Sequence, residues 1–82
     1  MPTYQIEFKK QAVRFIKSRT QKEQRRLLAE IYKLPDTSNI KKMQEYDYRY
    51  RLRVGDVRII YDKLDGVLII HVVEIGNKGK IY

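Results

Sequence analysis

The chain has no cysteine in its 82 residues, which excludes disulfides and thiolate metal sites and suits a reducing cytosol. It also lacks a long apolar run. The longest, Val67 to Ile70, is four residues, far short of the roughly 20 needed to cross a bilayer. The opening stretch MPTYQIEF runs straight into alternating sequence, without the basic and apolar segments of a signal peptide. No internal repeat or low-complexity segment is present, and a chain of this size has no room for a linker and a second core. The expectation is one domain over residues 1–82, soluble and cytoplasmic, with no membrane contact.

Negative charge is scarce as well: 10 Asp and Glu stand against 18 Lys and Arg, a net charge of +8. The excess is uneven. Residues 1–34 carry nine basic against three acidic residues, whereas residues 56–82 carry four of each. A small basic domain of this kind favours a polyanion, either nucleic acid or an acidic protein segment. With 43% hydrophobic residues and clear periodicity, the chain is expected to fold rather than stay disordered.

The periodicity gives the order of elements. Tyr4, Ile6 and Phe8 alternate, which predicts a first strand. From Lys9 the spacing turns helical, with Phe8, Ala12, Phe15 and Ile16 on one side. Thr20-Gln-Lys-Glu23 has the form of a capping box. A second helix follows from about Gln21, with Leu27, Leu28, Ile31 and Leu34 as its apolar stripe and Pro35 as its stop. Asp36 to Glu45 reads as a polar loop, in which Lys41 and Lys42 are candidate contacts for a polyanion. Two hairpins come next, turning at Gly55-Asp56 in a type II′ turn and at Asp65-Gly66. The final segment, Val67 to Ile75, is nearly continuous apolar sequence, as expected of a central strand covered on both faces. The fold class is therefore α+β, in the order βααβββ: a four-stranded antiparallel sheet with a two-helix hairpin on one face. Tyr50, Leu52, Ile59, Phe15, Ile16, Leu28 and Ile31 are its expected core.

The first hairpin, YRYRLRVGDVRIIY from Tyr48 to Tyr61, carries the functional signal. A turn at Gly55-Asp56 pairs Val54 with Val57, Arg53 with Arg58, Leu52 with Ile59 and Tyr50 with Tyr61, and opposed residues share a face. Tyr50, Leu52, Val54, Val57, Ile59 and Tyr61 then form one apolar face. Arg49, Arg51, Arg53 and Arg58 gather on the other. Like charges so placed repel unless an anion or an acid such as Asp62 compensates, so four converging guanidinium groups mark an anion-binding surface.

The element order, this hairpin and the ending Ile75-Gly-Asn-Lys-Gly-Lys-Ile-Tyr82 resemble the RelE toxins of the RelE/ParE superfamily, the toxin halves of type II toxin–antitoxin modules. The tail pattern Gly-x-Lys-x-x-x-Tyr is similar to that family's Gly-x-Arg-x-x-x-Tyr. The resemblance implies a toxin that cleaves messenger RNA in the ribosomal A site, with no metal or cofactor. The 2′-hydroxyl attacks the adjacent phosphate, the 5′-oxygen departs, and a 2′,3′-cyclic phosphate remains. It implies catalytic roles for Arg49, Arg51, Arg58, Lys78 and Tyr82, with Tyr82 stacking on a nucleotide beside the scissile phosphate. Arg53, Lys41, Lys42 and Lys80 are expected to bind RNA, and the basic helices (Lys9, Lys10, Arg14, Lys17, Arg25 and Arg26) to meet ribosomal RNA. The implied partners are the ribosome with its A-site message and an acidic antitoxin.

Where the family often has lysines, this chain has Arg49 and Arg51, and arginine keeps its proton above pH ~12, so neither serves as a general base. Asn77 stands where related sequences often have histidine. Lys78 is a better titrating group, since neighbouring cations and partial burial lower a lysine's pKa. His71, the single histidine, lies in an apolar strand and reads as a core or sheet-face residue. Tyr46, Tyr48, Tyr50 and Tyr61 read as packing residues. Two other functions fit the same superfamily: a ParE-like gyrase inhibitor, and a catalytically weak relative that only binds an acidic antitoxin.

Overall fold

The computed structural model describes residues 3–77, which form two helices and a five-stranded sheet. In chain order these are β1 (Gln5–Phe8), α1 (Lys10–Lys17), α2 (Gln21–Ile31), β2 (Ile40–Lys42), β3 (Arg49–Val54), β4 (Val57–Leu64) and β5 (Ile69–Asn77). The strands lie side by side in the order β1-β5-β4-β3-β2.

Local signals work where the chain turns on itself. Thr20 caps α2, its hydroxyl accepting from the Glu23 amide at 3.2 Å. Gly55 turns the β3–β4 hairpin with φ of +60°, the conformation a type II′ turn needs at its first central position. The pairing then runs Val54 with Val57, Arg53 with Arg58, Leu52 with Ile59 and Tyr50 with Tyr61, as the sequence predicts. The apolar members of these pairs pack beneath the helices with Ala12, Ile16, Leu27, Ile31, Ile70, Val72 and Ile75. Phe15, Leu28 and Tyr50, expected in the core, are partly buried and pack against it.

Two expectations about the sheet need correction. It has five strands rather than four, because Ile40–Lys42 leaves the predicted loop and pairs with β3, Ile40 opposite Leu52. One apolar side chain among two lysines is too weak a pattern to read as a strand, yet it is enough to cover the core's edge. The sheet is also mixed, not antiparallel: β1 lies parallel to β5, with Ile6 opposite Ile70 and Phe8 opposite Val72. The helical hairpin supplies the long crossover that this placement of β1 requires.

The last strand begins at Ile69 rather than Val67, since Val67 and Leu68 belong to an exposed turn in which Leu68 has φ of +54°. It is central, between β1 and β4, but its two faces differ. Ile70, Val72 and Ile75 are buried under the helices, whereas Ile69, His71 and Val73 are half-buried on the other side. Beyond the end of β1, the Gln11 side chain takes the place of a strand. Its amide nitrogen donates to the Ile75 carbonyl at 2.8 Å and its oxygen accepts from the Ile75 amide at 2.9 Å. That clamp fixes α1 to the part of β5 from which the C-terminal segment departs.

Candidate nucleic-acid interface

The side of the sheet away from the helices can be followed in rows, because residues paired across strands share a face. At the turn end, Arg53, Arg58 and Gly76 lie in register. The next row is Lys41, Arg51, Ile60 and Glu74. The third is Arg49, Asp62, His71 and Glu7. A bulge between Ile60 and Tyr61 shifts the later pairs by one residue and so sets His71 opposite Asp62. The predicted face exists, and it brings Lys41 in. Lys42 pairs with Tyr50 and so belongs to the opposite face.

The arginines differ in what holds them. Arg49 is engaged by the buried Asp62: its Nε donates to one carboxylate oxygen at 2.7 Å and its terminal nitrogen to the other at 3.1 Å. The same guanidinium lies 4.5 Å above the Tyr46 ring, and the hydrogen bonds it donates to Asp62 raise its pKa further. Its charge is spent inside the fold. By contrast, Arg51, Arg53 and Arg58 have no side-chain hydrogen bond or ion pair among the described residues. Arg58 is half-buried, and its Nε is shut away from solvent with no acceptor among those residues. An unanswered donor of this kind is costly until an acceptor arrives. Ile60, between Arg51 and Glu74, is only 4% exposed on the face opposite α1 and α2.

His71 is half-buried on this face, in the row of Asp62 and away from Arg58, which agrees with its reading as a sheet-face residue. Tyr50 and Tyr61 stack on the helix side with ring centres 5.6 Å apart. Burial raises the Tyr61 phenol's pKa well above its usual value, so it packs as a neutral ring. Tyr46 and Tyr48 are less buried than expected, at 41% and 42% exposed. Lys78, Lys80 and Tyr82 lie outside the described residues. Among the described residues, no three His, Cys, Asp or Glu side chains come together as metal ligands.

Sequence reasoning missed Glu74. It is exposed and unpaired among the described residues, and the register sets it diagonally beside Arg58. Only the pairing of β4 with β5 reveals this, since the alternation of β5 alone is broken by the bulge.

Neither a protein-family model nor a curated protein sequence matches the chain. Solved structures do. The RelE–RelB complex of the archaeon Pyrococcus horikoshii OT3 contains a chain that superposes with a TM-score of 0.78 at 24% identity, over 95% of this chain and 98% of that one. The RelB–RelE complex of Methanococcus jannaschii gives 0.74 at 26% identity, over 93% and 94%. The isolated E. coli RelE toxin gives 0.73 at 18% identity, over 92% and 84%. The fold is that of the RelE toxins. The likeness spans the helices and the sheet together, so the RelE resemblance drawn from the hairpin and the tail holds for the architecture as a whole.

Proposed function

We propose that this chain is the toxin of a type II toxin–antitoxin pair and acts as a ribosome-dependent endoribonuclease on messenger RNA. The observation that carries the reading is the cluster of Arg51, Arg53 and Arg58, unpaired among the described residues on an open sheet face of RelE architecture. Cleavage by the 2′-hydroxyl needs charge on the phosphorane, an acceptor for the 2′-proton and a donor for the departing 5′-oxygen. Arg58 and Arg51 supply the first, as forked donors matched to phosphate oxygens. Arg49, bound to Asp62, shapes the face and adds little charge to the reaction. Glu74 is a carboxylate on the same face that can take the 2′-proton as the 2′-oxygen bonds to phosphorus. Lys78 protonates the leaving oxygen, and Tyr82 stacks on the neighbouring base.

The partner is an antitoxin with an acidic, amphipathic segment that covers the arginine face or displaces the C-terminal tail. Charge complementarity makes that association weaken as salt is raised. The reading is tested by brief expression followed by primer extension on messenger RNA. Cuts within codons that appear only during translation support it. Arrest of replication with intact messages, and inhibition of gyrase in vitro, sustain the ParE-like alternative instead.

A further inference from the structure

A cleft of about 620 Å³ opens at the turn end of the sheet, on the helix side, between the start of α2 and the β3–β4 turn. The proposed reaction makes no use of it. Arg19, Glu23 and Arg26 line it from the helices, and Asp56, Val57 and Asn77 from the sheet.

Arg19 is held in place from several sides. Its carbonyl accepts from the Gln24 side chain at 2.8 Å, and its guanidinium lies 4.3 Å over the Phe15 ring. In that position its Nε is buried with no acceptor among the described residues, the same condition as Arg58 on the other face. Arg26 reaches over the turn: a Cβ added at Gly55 would lie 3.2 Å from one of its terminal nitrogens. Gly55 thus serves the turn and also leaves room for this guanidinium. Although Glu23 and Asp56 share the cleft, no ion pair joins them to either arginine among the described residues. With two carboxylates near two guanidiniums, the field alone does not draw anions in. A ligand must instead match the forked donors in geometry, as phosphate oxygens do.

Position links the cleft to the reaction. Val57 immediately precedes Arg58, and Asn77 immediately follows Gly76, the residue opposite Arg58. The cleft and the arginine face therefore meet around one end of the sheet. We propose that Arg19 and Arg26 bind a second backbone phosphate of the RNA strand whose scissile phosphate sits at Arg58. The proposal rests on the RNA-cleaving reading above, and it extends the RNA path from the sheet face onto the helical hairpin.

The arginine Nε–H signals of the full chain, followed by NMR, report the two places separately. The probes are inorganic phosphate at constant ionic strength, then a short RNA made uncleavable by a 2′-deoxy sugar at the scissile position. Saturable shifts of Arg19 and Arg26 together with Arg58 are expected with the RNA. Arg26→Gln should weaken the response at Arg19 by about tenfold or more, as loss of a charge-assisted contact does. Asp56→Asn should strengthen it, an effect that a damaged fold does not produce. If the RNA moves only Arg58 and Arg51, the proposal is overturned while the nuclease reading stands. Response of the cleft to inorganic phosphate but not to RNA likewise overturns it, leaving a simple anion site. If RNA moves the cleft arginines and not Arg58, the sheet-face chemistry fails and the shared strand path proposed here fails with it, leaving an RNA contact at the cleft alone.

Discussion

The two faces of the β3–β4 hairpin are built from alternate residues of the same fourteen-residue stretch, yet they obey opposite rules. On the helix side, Leu52 and Ile59 are fully buried and Tyr61 is 1% exposed. On the other side, Arg51, Arg53 and Arg58 form no ion pair among the described residues. Stability resides on the first face and the proposed function on the second, and a two-residue period keeps them apart. The contrast is not total. Arg49, on the arginine face, is tied to Asp62, so one arginine of the four serves the fold.

Substitutions can test that division, beginning with the core. Ile59→Ala should cost about 2–5 kcal/mol of stability, the usual range for truncating a buried isoleucine, read by urea unfolding. In a domain this small, that is a large share of the total. Arg58→Ala should not lower urea stability, because it removes a buried donor that has no acceptor among the described residues, but it should slow RNA cleavage by roughly 30- to 1000-fold. That corresponds to about 2–4 kcal/mol of lost transition-state stabilisation. Asp62→Asn tests the exception. Freed from its partner, Arg49 loses a charge-assisted pair that is partly open to solvent, and stability should fall by about 1–2 kcal/mol. Cleavage should change less than with Arg58→Ala.

The smallest effect is one of pH. Burial raises the folded-state pKa of Tyr61, so its contribution is fully present below the unfolded-state value of about 10. Above that pH the unfolded chain releases the proton and the folded one keeps it, so stability declines as pH rises further. Tyr61→Phe should flatten the alkaline limb of the stability profile, measured by thermal unfolding between pH 8 and about 11.

How much of this was legible in the sequence follows from the range of each interaction. The hairpin register could be read because Gly55-Asp56 fixes it within a few residues, and Thr20 announces the start of α2 in the same local way. β2 could not, since Ile40 alone carries its apolar signal and its partner, Leu52, lies twelve positions away. Nor could the parallel placement of β1 against β5, which joins residues more than sixty positions apart. Within the site, the arginine face was legible from alternation. The engagement of Arg49 by Asp62, the approach of Glu74 to Arg58 and the Arg19–Arg26 cleft all depend on tertiary geometry. Lys41 and Lys42 looked equivalent as neighbours; the pairing of β2 with β3 sets them on opposite faces.

The most direct test of the central claim is the single-turnover rate of messenger cleavage on programmed ribosomes, compared between the wild-type chain and Arg58→Ala of verified fold. The account predicts cuts in the A-site codon by the wild type and a rate at least about 30-fold lower for the variant. A folded Arg58→Ala chain that cuts at the wild-type rate, or a wild-type chain that leaves the message intact, would contradict it.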